Sequence, residues 1–162
     1  MRLARKVFFP FAILMLSSLM SQAQMLTNPY GPPISVETAK KAAEVALAEA
    51  RKNHWTMAVA IVDPNGDLVY YEKMDNTQMA SAQISVDKAR SAARFKRPTK
   101  AFQDALEKGG VNLRLLALQG AIPVEGGVPI LIDGKIVGAI GVSGDTSERD
   151  SVCANAGAAS IK

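Results

Sequence analysis

The chain has 162 residues, with 19 lysines and arginines against 15 acidic residues and a formal net charge of +4. Arg2, Arg5 and Lys6 precede an apolar stretch from Val7 to Met20, and Ser21-Gln22-Ala23 supplies the small residues of a cleavage site, so residues 1–23 read as a secretory signal peptide. The 139 residues that follow carry 16 basic and 15 acidic groups, and a net charge near +1 removes the electrostatic case for nucleic-acid binding.

The apolar stretch is shorter than the roughly 20 residues of a spanning helix, so no membrane span is expected after cleavage. The expected location is periplasmic or secreted. The remaining length suits one domain with a real core. Tyr30, Trp55, Tyr70, Tyr71, Phe95 and Phe102 are too few for a base-stacking platform. Cys153 stands alone, so it forms no intramolecular disulfide and is expected to be buried. With one cysteine and one histidine, neither a Cys-based nor a His-rich zinc site can be built.

Residues 24–33 form a polar, proline-containing leader without period, expected to be extended or partly disordered, and a single domain occupies 34–162. Ser35 is placed to cap a helix from Val36 to about Lys52, with Ala39, Ala42, Ala43, Ala46, Leu47 and Ala50 on one face. Thr56 to Asp63 and Leu68 to Met74 read as a hairpin around Pro64-Asn65-Gly66-Asp67. A long helix is expected from Met79 to Lys96, stopped by Pro98, and Thr99 is expected to cap a shorter one to Lys108. Asn112 to Gly120 has no clear period, and Ala121 to Gly127 is a Gly/Pro loop whose glycines suit close backbone approach. Val128 to Ile132 and Lys135 to Ser143 form a second hairpin around Asp133-Gly134, with Ala139 and Gly141 thinning one face. Asp145 and Glu148 have the spacing of a capping box opening a last helix to about Ser160. The fold class is α+β: an antiparallel sheet, terminal helices on one face and the central helices elsewhere.

Several segments together resemble the GlcG/HbpS-like haem-binding family. They are 35–40 (SVETAK), 58–63 (AVAIVD) with Gly66, 73–75 (KMD), 88–90 (KAR), 97–100 (RPTK), 125–130 (EGGVPI) and 137–144 (VGAIGVSG). The resemblance runs in order through almost the whole chain beyond the leader. It implies a profilin-like α/β sandwich assembled into compact homo-oligomers, with haem as cofactor and haem degradation in some members.

A haem site needs an apolar slot, an iron ligand and cations for the propionates. His54, the only histidine, is the first candidate for the iron, against the plainer reading of a solvated residue at a helix C-terminus. Lys88, Arg90, Arg94, Lys96, Arg97 and Lys100 form a run with no acid between them. Within it Arg90, Arg94 and Arg97 are spaced to share a helix face that suits carboxylates, haem propionates among them, or phosphates, the alternative being a solvated face that meets Glu or Asp of a neighbouring subunit. Capping alone accounts for Thr99, while the resemblance keeps it as an oxygen donor near iron. Tyr70 and Tyr71 must face opposite sides of their strand. Met74 and Met79 suit core or pocket wall rather than ligation. Gly141-Val142-Ser143-Gly144 lacks the context of a nucleophile elbow, and Gly134, Gly138 and Gly141 make no dinucleotide fingerprint. The expectation is an exported haem-binding protein, possible degradation being secondary; the alternative is an oligomeric sensor or scaffold that binds a small organic acid.

Overall fold

A computed structural model describes residues 28–162; the expected signal peptide and residues 24–27 lie outside the described residues. Strands β1 (Ala58–Val62), β2 (Leu68–Lys73), β3 (Gly127–Ile132) and β4 (Lys135–Ser143) form one antiparallel sheet in the order β2-β1-β4-β3. Helices α1 (Val36–Lys52) and α4 (Ser147–Ala159) pack together on one face. Helix α2 (Ser81–Arg94) covers the other, followed by α3 (Lys100–Glu107) and a 3-10 segment, Gly110–Ala117.

Side-chain size sets the two layers. Val59, Ile61, Ile140 and Val142 join Leu47 and the α1 alanines in the larger core. Ala60, Val62 and Ala139 meet Ala89, Ala92 and Ala93 of α2 in a thinner one. Gly141 permits that thinness, because a Cβ there would run into the Ser85 carbonyl and Ala89 of α2. Tyr70 packs on the α1 side and Tyr71 on the α2 side, as strand alternation requires.

Both hairpins turn where expected. The Asp63 carboxylate accepts the Asn65 and Asp67 N–H groups at 2.8 and 2.9 Å, and Asp133 and Gly134 both take positive φ. The described part of the leader is extended and paired. Tyr30 bridges Ile136 in parallel, Gly31 N–H donates to Ile136 O, and Ile34 N–H donates to Val137 O, each at 2.8 Å. Strand β1 stops opposite Ala139, so the leader satisfies the half of β4 that β1 leaves uncovered.

Helix ends depart from expectation in three places. Helix α2 stops at Arg94, before Pro98, because Lys96 turns left-handed (φ 53°) while Arg97 N–H returns to Ala92 O and Lys96 N–H to Ala93 O. That is a Schellman ending with lysine where glycine is usual. Helix α1 ends the same way, with His54 at φ 59° and Trp55 N–H on Ala50 O. The last helix is capped by Thr146 and not by Asp145; the Asp145 carboxylate accepts the Thr146 N–H at 2.7 Å and the Arg149 guanidinium at 2.9 Å. Those contacts, the Thr146 amide first, hold the Asp145 carboxyl below its ordinary range. The third departure, at Thr99, belongs to the site.

Gly141→Val should loosen α2 from the sheet. Overpacking of this kind costs about 1–3 kcal/mol. The expected outcome is a lower urea midpoint at unchanged slope, while Val142→Ile on the other face stays closer to the parent.

Candidate functional site

The C-terminal half of α2 lies over the β1–β2 turn and grips it. Arg90 Nε donates to Gly66 O at 3.0 Å, and Arg94 Nε donates to Asn65 O at 2.8 Å. Arg97 does not join them. The helix has already ended, and Arg97 turns its Nε to Phe95 O at 3.1 Å with its guanidinium 5.2 Å from the Phe102 ring centre. The expected three-arginine face is therefore a two-arginine face.

Thr99 is fully buried and does not cap α3 with its side chain. Its hydroxyl accepts the Gly127 N–H at 2.9 Å, and its own N–H donates to Gly127 O at 2.9 Å. Instead of capping, it fastens the start of α3 to the first residue of β3. The glycine pair 126–127 makes this possible, since a Cβ on Gly127 would meet the Lys88 carbonyl and the Thr99 methyl.

Beside Arg94 lies a cleft of about 470 Å³ walled by Tyr30, Gly31, Pro33, Pro64 and Asn65. The Tyr30 hydroxyl donates to the carbonyls of Ala93 and Arg94 at 3.0 and 3.2 Å. Burial pushes that phenol above its ordinary value, so it stays protonated and donating at neutral pH. Lys96 Nζ sits 4.2 Å from the Tyr30 ring centre and donates to Asn28 O at 3.3 Å.

His54 is exposed and precedes β1, whereas Pro64 follows it. The five residues of β1 put roughly 17 Å between them. One subunit thus holds its histidine and its arginine pair at opposite ends of the sheet. Among the described residues no group of three His, Cys, Asp or Glu could hold a metal ion. Burial pushes the Cys153 thiol up to about 12, which leaves it an inert core residue.

Lys88 stands in the basic run yet is fully buried. Its Nζ lies 2.7 Å from Asp150 Oδ2 and donates to Val142 O at 3.1 Å, while Asp150 Oδ1 accepts the Asp145 N–H at 3.2 Å. Burial raises the Asp150 carboxyl above its ordinary value, against the pull of the Lys88 ammonium. A sequence signal for this existed: Ser81, Ser85, Lys88 and Ala92 share one helix face, and the other three are small. Lys88→Met should cost about 3–5 kcal/mol by stranding the Asp150 carboxylate. Lys88→Met with Asp150→Leu should recover much of that loss in the same urea titration.

Comparison with known proteins places this geometry in a family. Over 95 residues the chain is 39% identical to Protein GlcG of Escherichia coli K12, covering 59% of this chain and 69% of that protein. It superposes on a double mutant of Streptomyces reticuli HbpS with a TM-score of 0.74 and 29% identity, covering 82% of this chain and 89% of that one. A crystal structure of PduOC in complex with haem matches with a TM-score of 0.72 and 26% identity, covering 80% and 96%. Residues 34–159 match the family described as haem degrading protein HbpS-like, and the chain belongs to that family.

Proposed function

We propose that this chain is an exported haem-binding protein that works as a closed homo-oligomer. The observation that carries the reading is the likeness, through almost the whole domain, to a relative crystallised with haem. Export rests on the signal-like residues 1–23.

The donor set fits haem in two separated parts. The His54 imidazole is solvent-facing on a left-handed turn and is the residue for the iron. The arginine pair of α2 suits the propionates but lies at the far end of the sheet. A second copy that brings its α2 end to this His54 would complete the site, and closed symmetry repeats such a contact. Exposed apolar side chains supply further surface for assembly: Val111 is 72% exposed and Leu116 68%, both on the 3-10 segment. Bound haem would supply oxygen activation at its iron, so haem breakdown would need no acid–base pair from the protein.

Hemin added to the exported form should give a shifted Soret band that saturates at a fixed stoichiometry. Non-saturating partition would end the haem reading. His54→Ala should move the band maximum, because the axial ligand sets the electronic environment of the iron; an unchanged spectrum would take the iron away from His54. Light scattering should give a mass above that of a dimer, and a monomer mass at micromolar concentration would overturn the assembly.

A further inference from the structure

We infer that the cleft between the leader, the β1–β2 turn and the end of α2 is a carboxylate-binding site, with Arg94 as the residue that engages the ligand and Lys96 as its electrostatic support. The inference rests on the haem reading only for the body that carries the carboxylate.

Arg94 and Lys96 bring positive charge without a carboxylate partner among the described residues. Arg90 has Asp87 at 4.0 Å, whereas no carboxylate among the described residues lies within salt-bridge distance of Arg94 or Lys96. Both cations are instead held by neutral groups, Arg94 by the Asn65 carbonyl and Lys96 by the Asn28 carbonyl and the Tyr30 ring. Cations at a helix C-terminus ordinarily complement its terminal carbonyls. Here the Tyr30 hydroxyl already serves the Ala93 and Arg94 carbonyls.

Geometry gives the positive charge a direction. Arg94 spends only Nε on Asn65, which leaves its two terminal amino groups without a hydrogen-bond partner among the described residues. Those groups can meet a carboxylate as a fork. The guanidinium lies against Gly66, where a Cβ would be only 2.7 Å from Nε, so the turn glycine helps set the arginine's place. The cleft is mixed in character: Pro33, Pro64 and the Tyr30 ring supply apolar wall, and Asn65 and Arg94 supply polar groups beside it.

Lys96 adds an independent observation. Its backbone is left-handed at φ 53°, a conformation that glycine adopts without strain and lysine does not. Glycine would take that backbone more readily, and the lysine ammonium lies over the ring of Tyr30, a residue of the cleft wall. The fitting ligand is a carboxylate on a flat, partly apolar body, either a porphyrin propionate or a free organic acid.

The test titrates the assembled protein with hemin and with hemin dimethyl ester, which lacks the carboxylates, and runs thermal shift with citrate and benzoate. Arg94→Gln should weaken hemin by about tenfold or more, flatten its salt dependence and leave the ester unchanged. Lys96→Gly should weaken hemin several-fold with its melting temperature kept, and Lys41→Gln, an equal loss of charge on α1, should do nothing. If hemin fails to bind while citrate or benzoate stabilises the parent but not Arg94→Gln, the site stands and the haem reading falls. If hemin binds and Arg94→Gln leaves its affinity and salt dependence intact, the site is overturned and the haem reading survives. No Arg94-dependent response to any of these ligands overturns the site as well.

Discussion

One buried ammonium joins the two helical layers around the end of the sheet. Helix α2 lies on one face and α4 on the other, yet Lys88 of α2 reaches past Gly126, touches the Val142 carbonyl of β4 and meets Asp150 in the first turn of α4. Desolvating two charges is expensive, and an apolar pair of similar volume can match or exceed such a bridge in stability. What an ion pair adds is direction: an ammonium among apolar atoms has few tolerable positions. It fixes α2 in translation and rotation on a surface of alanine and glycine that would otherwise allow sliding.

The site inherits that register. Lys88 and Arg94 are six residues apart on a helix rising about 1.5 Å per residue, so anchoring one places the other over the β1–β2 turn. The turn must be equally fixed to receive it, and the Asp63 carboxylate does this by holding two amides of its own loop. On the far side of α2, Thr99 and Gly127 lock the start of α3 to β3. The cleft is therefore a meeting of fixed parts, and the leader that walls its other side is itself bonded to β4.

The sheet and its two-layer cover were legible because they rest on local patterns: Asn65-Gly66 and Asp133-Gly134 announce hairpins, and the thinning at Ala139 and Gly141 announces a close neighbour. Helix ends were less legible for a specific reason. Helix α2 closes on a left-handed lysine, Lys96, so the usual glycine stop signal is missing and Pro98 looks like the terminator, whereas α1 ends at Lys52 as its period indicates although His54 is also left-handed. Thr99 misleads differently, because threonine before a helix suggests a cap while its real partner, Gly127, lies 28 residues away. Lys88 shows the same limit from the other direction. Its charge is visible in sequence, but the acid that permits burial is 62 residues further on. The spacing of Arg90 and Arg94 does put them on one face, and Arg97 leaves it because the helix is shorter than its pattern. The distance between His54 and that face depends on tertiary placement and has no sequence signal.

The left-handed residues bear on function through their side chains. Among the described residues four non-glycine positions have positive φ: His54, Asn76, Lys96 and Asp133. Asparagine and aspartate take this conformation readily, and histidine does so more often than most, so three of the four have a backbone rationale. Lysine has none; an unfavourable left-handed residue costs on the order of 1 kcal/mol or more and persists where its surroundings enforce it. The surroundings here include the Tyr30 ring and the Asn28 carbonyl, which hold the ammonium, and no carboxylate among the described residues lies within salt-bridge distance of it. Those two contacts offset the backbone strain, and the ammonium they hold adds to the positive charge beside Arg94. Lys96 is therefore best understood through an anion that none of the described residues supplies, and the strain belongs to the site rather than to the helix it ends.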